Sequence, residues 1–203
     1  MTRLTTLFYS QCYMDTIKIA DAFYEAVSNS SNFQNNKKMV IGFNGEIGSG
    51  KSTLSEAFSE HFPVASPVED LGYRGFSYKT PQGLSVKRFD VLGMLMSDED
   101  MASKIAQYMT DDIVLVEHAD ALIDMGLNNA FDLTLTTYFT DGRDAINVAN
   151  MEYLHDLNEP DVDFTEQRMN ILNNEQRIIE ISDMEQKSFN NDVFLNALTK
   201  GMG

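Results

Sequence analysis

Three observations predict an α/β fold in three layers around a central, mostly parallel sheet. Residues 45–52 read GEIGSGKS and satisfy the phosphate-binding pattern G-x-x-x-x-G-K-[ST] at every fixed position. The run 39–43 ahead of them is apolar and suits a buried parallel strand, and behind them Leu54, Ala57, Phe58 and Phe62 fall at helical spacing. A second apolar run, 113–116, ends in Glu117. That puts an acid at the C-terminal edge of a central strand, where open α/β sheets bind ligands.

The elements follow in order. Residues 3–9 (RLTTLFY) predict a first strand, and 15–27 a helix with Ile17, Ala20, Tyr24 and Val27 on one face. The polar stretch 28–36 predicts a loop. Residues 64–68 (VASPV), 72–78 and 84–89 read as short strands parted by turn residues, and 98–109 as a helix. Residues 131–139 (FDLTLTTYF) alternate in part and are Thr-rich, as strands often are, and Asp141-Gly142 marks a turn before a strand over 145–149. Past about residue 150 the texture changes. After the break at Asn158-Glu159-Pro160-Asp161, residues 165–182 carry a helical pattern in which Phe164, Ile171 and Ile178 recur every seven residues, as do Leu172 and Ile179. Residues 190–203 predict a short helix and a frayed tail. The expected division is a nucleotide-binding domain over 1–150 and a helical, acidic C-terminal extension over 151–203. The apolar stripe of that extension needs a partner, either the domain itself or another protein.

At 203 residues the chain can bury roughly 70% of its unfolded surface, enough for an independent core. Its single cysteine, Cys12, cannot form an intramolecular disulfide; this fits a reducing cytoplasm, and Cys12 reads as a packing residue. No run approaches the ~18 apolar residues of a membrane span. The start lacks an apolar signal-peptide core, because Ser10, Gln11 and Asp15 follow Leu7-Phe8-Tyr9. A cytoplasmic protein without membrane contact is expected. The net charge of −16, with basic pairs only at Lys37-Lys38 and Lys87-Arg88, disfavours direct nucleic-acid binding; any work on RNA would go through a basic partner. Composition leaves the oligomeric state open.

The motif carries its own chemistry. Gly45, Gly48 and Gly50 let the backbone wrap closely, and the amides of the loop, with Glu46, Ile47 and Ser49 between the glycines, converge on the phosphates at a helix N-terminus. Lys51 reaches the β- and γ-phosphate oxygens, and the Ser52 hydroxyl is placed to ligate Mg²⁺. Hydrolysis needs acids elsewhere, and Asp90 and Glu117 each close a strand. Glu117, after four apolar residues, follows the Walker B pattern with Glu in place of the commoner Asp, which points to a role in orienting the attacking water. No N/T-K-x-D run follows, so ATP is expected over GTP. His61, His118 and His155 have no zinc-ligand spacing. The predicted fold is therefore that of a P-loop NTPase.

The order GEIGSGKST, SPV, RFD, IVLVEH and FDLTLTTYFTDGRDAINVA resembles the TsaE family over about residues 3–150. These are small bacterial ATPases serving the machinery that makes threonylcarbamoyladenosine in transfer RNA. The resemblance implies ATP and Mg²⁺ as cofactors, with Lys51 on the phosphates, Ser52 and Asp90 at the metal and Glu117 as the hydrolytic acid. Thr53 falls at a threonine common in the family's loop. The resemblance also implies that Ser66-Pro67 lie in a switch-like loop near the γ-phosphate, and that Arg143 matches a late arginine. The family's S-P-T, H-F-D-L-Y-R and I-E-W are here Ser66-Pro67-Val68, Arg88-Phe89-Asp90-Val91-Leu92-Gly93 and Val116-Glu117-His118, and the extension past residue 150 is unusual for it.

The function expected is Mg²⁺-dependent ATP binding with slow hydrolysis, in which Glu117 and Lys51 are catalytic and the cycle acts on a partner complex, by resemblance the TsaB–TsaD pair. Two other readings stay open: a diverged, nucleotide-gated protein-binding module, and a small-molecule or nucleoside kinase. The kinase would need an arginine-bearing lid, yet residues 98–109 hold only Lys104 as a cation.

Overall fold

The computed structural model describes residues 4–10, 13–45, 49–72, 75–95, 101–127, 130–139, 177–183 and 187–201. Chain order runs β1 (Leu4–Ser10), α1 (Tyr13–Ser28), α2 (Ser31–Asn36), β2 (Met39–Gly45), α3 (Lys51–Ser59), β3 (Glu69–Gly72), β4 (Gly75–Lys79) and β5 (Ser85–Asp90). It continues with α4 (Val91–Leu95), α5 (Met101–Tyr108), β6 (Ile113–Glu117), α6 (Ala119–Asp124), β7 (Leu133–Phe139), β8 (Arg177–Asp183) and α7 (Asn191–Gly201). The strands form one sheet in the order β1-β8-β7-β2-β6-β5-β4-β3. The four central strands β7, β2, β6 and β5 are mutually parallel. An antiparallel pair flanks them at each edge, β8 and β1 on one side and β4 and β3 on the other. This is the expected α/β architecture, with the glycine-loop strand β2 between two parallel neighbours.

Period-2 alternation explains the layers. On β6, Ile113 and Leu115 face the cluster that α1, α3 and α7 cover, with Phe23, Leu54, Phe58 and Phe194. Val114 and Val116 face the opposite cluster, where Ile105 of α5 and Leu122 of α6 meet Phe89 and Phe131. All five residues of β6 are buried, so the strand reads as one apolar run rather than an alternating one. Aromatic rings join the first helical layer. Phe23 of α1 lies 5.1 Å from Phe58 of α3 and 5.7 Å from Phe189, which in turn stands 5.2 Å from Phe194 of α7.

Three expectations are corrected. The helical pattern over 165–182 does not hold where the structure describes it: residues 177–183 are strand β8. The sequence there is RIIEISD, and Ile179 and Ile181, two apart and buried, point into the core while Glu180 between them is half-buried. β-Branched residues on a two-residue period favour the sheet over the seven-residue spacing. Phe164, Ile171 and Leu172 lie outside the described residues. The helix predicted near the C-terminus is α7. The second correction is at 64–68, where no strand forms. Pro67 has no amide to give a ladder, and pairing with β4 begins only at Glu69. The third concerns the loop expected over 28–36, whose second half is α2, capped by Ser30 Oγ on the Phe33 amide at 3.2 Å. The strand expected at 145–149 lies outside the described residues.

Strand β8 runs antiparallel between β1 and β7 along seven residue positions on each side. Its Asp183 is fully buried and accepts the amides of Ser188 and Phe189 at 2.9 and 3.0 Å, turning the chain toward α7. Ile181→Ala is expected to cost about 2–5 kcal/mol, as buried Ile→Ala changes do, and to loosen β1 together with α7. Urea unfolding, with hydrogen exchange in residues 4–10, checks both halves. An unchanged urea midpoint, or wild-type protection in residues 4–10, would contradict it.

Candidate active site

The parallel register sets the floor of the site. Glu117, the last residue of β6, is level with Phe43 of β2 and with Asp90, the last residue of β5. Gly45 ends β2 opposite Thr137 of β7. The predicted carboxylates and the loop's first glycine thus share the C-terminal edge of the sheet, and α3 starts above that edge. Gly50 precedes α3 with φ 97°, in the left-handed region that glycine enters without steric cost. Gly45 has φ 137°, and a Cβ there would run into Thr137 and Ser49. Ser49 Oγ lies 2.5 Å from Thr137 Oγ1, which holds the returning loop onto β7. Glu46, Ile47 and Gly48 lie outside the described residues.

Lys51 and Ser52 open α3, so their amides lie in its first turn, at the positive helix end that attracts anions. Lys51 is 6% exposed, which is unusual for a lysine. The Ser52 hydroxyl donates to Glu117 Oε2 at 2.5 Å. Ser55, one turn on, donates to Glu117 Oε1 at 2.7 Å. Arg88 of β5 donates to the same Oε1 from Nε at 2.8 Å and from Nη2 at 2.6 Å, and Nη2 also reaches the Ser52 carbonyl at 3.3 Å. Glu117 is 2% exposed and its carboxylate has four donors. Burial pushes its pKa up. The charge of Arg88 and the hydrogen bonds from Ser52, Ser55 and Arg88 more than offset this, and hold it below the ordinary 4.5.

Asp90 has different company. Its Oδ1 lies 2.8 Å from His118 Nδ1 and accepts the amides of Leu92 and Gly93 at 3.0 and 3.4 Å, which starts α4. Burial raises its pKa, and the hydrogen bond and charge of His118 with the two amides outweigh this and hold it below the ordinary 3.8. His118 sits in the left-handed region at φ 54° and donates its amide to the Phe43 carbonyl at 2.9 Å. This places its ring beside Asp90.

The structure thus brings Gly45, Ser49, Gly50, Lys51, Ser52, Glu117 and Asp90 to one edge, with Thr53 on the first turn of α3. It does not bring Ser66-Pro67 there. Ser66 accepts the Lys79 amide at 2.8 Å, and Lys79 pairs with Ser85, the first residue of β5. That is the N-terminal edge of the parallel strands, opposite the glycine loop, so the switch position expected from the resemblance is corrected. Arg143 lies outside the described residues. Arg88, Ser55 and His118 are the partners that sequence reasoning missed. The available signal was alternation on β5, where Arg88 stands two before Asp90 and shares the face of Val86, which packs in the α3-side cluster.

The residues fit Mg²⁺. Among the described residues no three His, Cys, Asp or Glu side chains group as a metal cage. One hydroxyl beside one carboxylate is what Mg²⁺ uses when phosphates and water supply its other ligands.

The sheet order, the strand–loop–helix turn and the two strand-end acids define an α/β protein with the P-loop NTPase fold. The chain matches no protein-family profile and no curated protein sequence. Among solved structures it is similar to YdiB from Bacillus subtilis, at 14% identity and a TM-score of 0.49, over 100% of this chain and 99% of that one. Among the described residues no helix is long and apolar enough to cross a membrane.

The Glu117 network predicts acid sensitivity with a definite sign. A carboxylate whose folded pKa is depressed adds stability that is fully present above its unfolded value and is lost as pH falls through the folded value. Urea midpoints measured between about pH 3 and 6 should therefore fall below about pH 4.5 in the wild type, and less steeply in Glu117→Gln. Parallel profiles for the two proteins would show that Glu117 carries no such linkage.

Proposed function

We propose that this protein binds Mg²⁺–ATP on the loop 45–53 and hydrolyses it slowly, as a TsaE-like ATPase whose cycle acts on a protein partner. The observation that carries the reading is the 2.5 Å contact between Ser52 Oγ and Glu117 Oε2, beside buried Lys51 at the start of α3. A hydroxyl from the loop and an acid from the neighbouring strand are the two protein groups that a P-loop site offers to Mg²⁺. Lys51 holds the β- and γ-phosphate oxygens, and the amides of residues 49–52 face them from the positive end of α3. When bound, Mg²⁺ neutralises charge developing on the phosphate oxygens. Catalysis by the chain itself is then positioning and electrostatics, with no covalent step.

In this reading Glu117 serves the cation together with Ser52. Its contact to that hydroxyl supports the role better than free access to water does, because three of its four donors already occupy Oε1. Asp90, level with Glu117 and backed by His118, is the second acid in reach of the cation or its waters. The partner expected from the resemblance is a TsaB–TsaD-like complex, and the direct route to RNA is disfavoured by the net charge of −16. ATPase turnover with and without that complex tests the partner. A rise on addition supports it, and unchanged turnover favours a diverged nucleotide-gated module.

Calorimetry should show micromolar Mg²⁺–ATP affinity, about −8 kcal/mol, with little GTP binding. Lys51→Ala should weaken it by roughly 1.5–3 kcal/mol through loss of a charge-assisted contact. Wild-type affinity in that variant would place the nucleotide elsewhere.

The two acids should separate by their Mg²⁺ dependence. Glu117→Gln is expected to raise the Mg²⁺ concentration needed for half-maximal ATP binding about tenfold, and Asp90→Asn to lower kcat with a smaller effect on binding. The reverse ranking would give the metal to Asp90 and the water to Glu117.

A further inference from the structure

We propose that Arg88 is the resident counter-ion of the cation site, and that it makes divalent-metal binding conditional on nucleotide phosphates. The inference rests on the P-loop reading above and concerns how that site is regulated. A guanidinium stays charged at every working pH, so Glu117 meets a full positive charge before any ligand arrives. The pairing is tight and dry: Nε and Nη2 both reach Oε1, the Arg88 side chain is 7% exposed, and that of Glu117 is 2% exposed. Water can do little to screen it.

The geometry divides the carboxylate into two edges. Oε1 is filled by Arg88 and Ser55, whereas Oε2 holds one hydroxyl donor, from Ser52. Oε2 with the Ser52 oxygen is therefore the edge left for a cation. A divalent ion arriving alone there meets a carboxylate whose charge is already matched, with a buried cation on its far side. Like charges at such range disfavour it strongly in a weakly screened site. Nucleotide phosphates bring several negative charges to the same place and reverse the balance. Arg88 cannot swing away readily, because Nη2 is also tied to the Ser52 carbonyl and the guanidinium lies 5.6 Å from the Phe76 ring centroid. It acts as a positioning residue through Glu117 and touches no reacting atom.

The test uses Mn²⁺ alone, followed by electron paramagnetic resonance of the free ion, with no nucleotide present. Wild type should bind Mn²⁺ no more tightly than about 1 mM, at the weak end of protein sites. Arg88→Gln keeps a hydrogen-bond donor toward Glu117 and loses the charge. It should bind Mn²⁺ at least about tenfold more tightly, and Arg88→Gln with Glu117→Gln should lose the gain. Arg88→Lys retains a charge and should stay like wild type. A folded Arg88→Gln protein with wild-type Mn²⁺ affinity overturns the proposal, as does an equal gain in Arg88→Lys. If Arg88→Gln does not fold by circular dichroism, Arg88→Met, which also removes the charge, takes its place: tighter Mn²⁺ binding supports the counter-ion and unchanged affinity overturns it. Failure of the P-loop reading itself appears separately, as absence of Mg²⁺–ATP binding by the wild type in calorimetry.

Discussion

A buried carboxylate has to be matched, and the match at Glu117 organises the functional edge of this molecule. Removing such a group from water costs several kcal/mol unless charge and hydrogen bonds replace the lost hydration. Here the replacements come from different elements: Ser52 and Ser55 from α3, Arg88 from β5. Satisfying one side chain on β6 therefore fixes the first turns of α3 against two strands. Helix α3, which would face the phosphates in the proposed function, is held from beneath by polar contacts and from behind by Leu54 and Phe58 in the core. Half of this network would be worse than none, since an unpaired partner in so dry a place keeps its full desolvation cost.

The glycine loop is held by a second, independent constraint. β7 brings Thr137 level with Gly45, and the thread between them is narrow enough that a side chain at Gly45 would collide with it. Thr137 Oγ1 touches Ser49 and reaches the Asn44 carbonyl at 3.3 Å. The threonines of β7, which read in sequence only as strand formers, thus include one that seats the loop. Asn44 in turn accepts the Asp120 amide at 2.8 Å, linking the same strand end to α6 on the opposite face.

Much of this was legible. The loop announces itself because its chemistry needs glycine, lysine and serine at fixed spacing. The central strands announce themselves because parallel strands buried on both faces must be continuously apolar, as residues 113–116 are. Glu117 stands out because it ends such a strand, and Asp90 because it closes the strand run 86–90. What escaped was set by distant partners. Arg88 looked like half of a solvated basic pair with Lys87; alternation sends Lys87 toward Asp111 at 2.7 Å and Arg88 into the core beside Glu117. His118 looked like a departure from a family pattern, and only the left-handed backbone at the end of β6 turns it onto Asp90. Residues 177–183 were misread because Ile178 and Ile179 fit two periodicities at once. The open slot between β1 and β7 decides in favour of the strand, and no local signal describes that slot.

That slot also orders events at the ribosome. β1 leaves the exit tunnel before the strands it joins, yet among the described strands its neighbour is β8, the last of them in chain order. Among the described strands, residues 4–10 wait for residues 177–183 to form their ladder, and the side of β7 away from β2 waits with them. Closing so long a loop is slow, and an unpaired edge during synthesis invites the wrong strand from another nascent chain. The middle of the sheet, β2 with β6 and β5, can assemble without either terminus. A nascent chain can thus own a formed glycine-loop edge while β1 is still unpaired, and chaperone demand should fall on β1 and not on that edge.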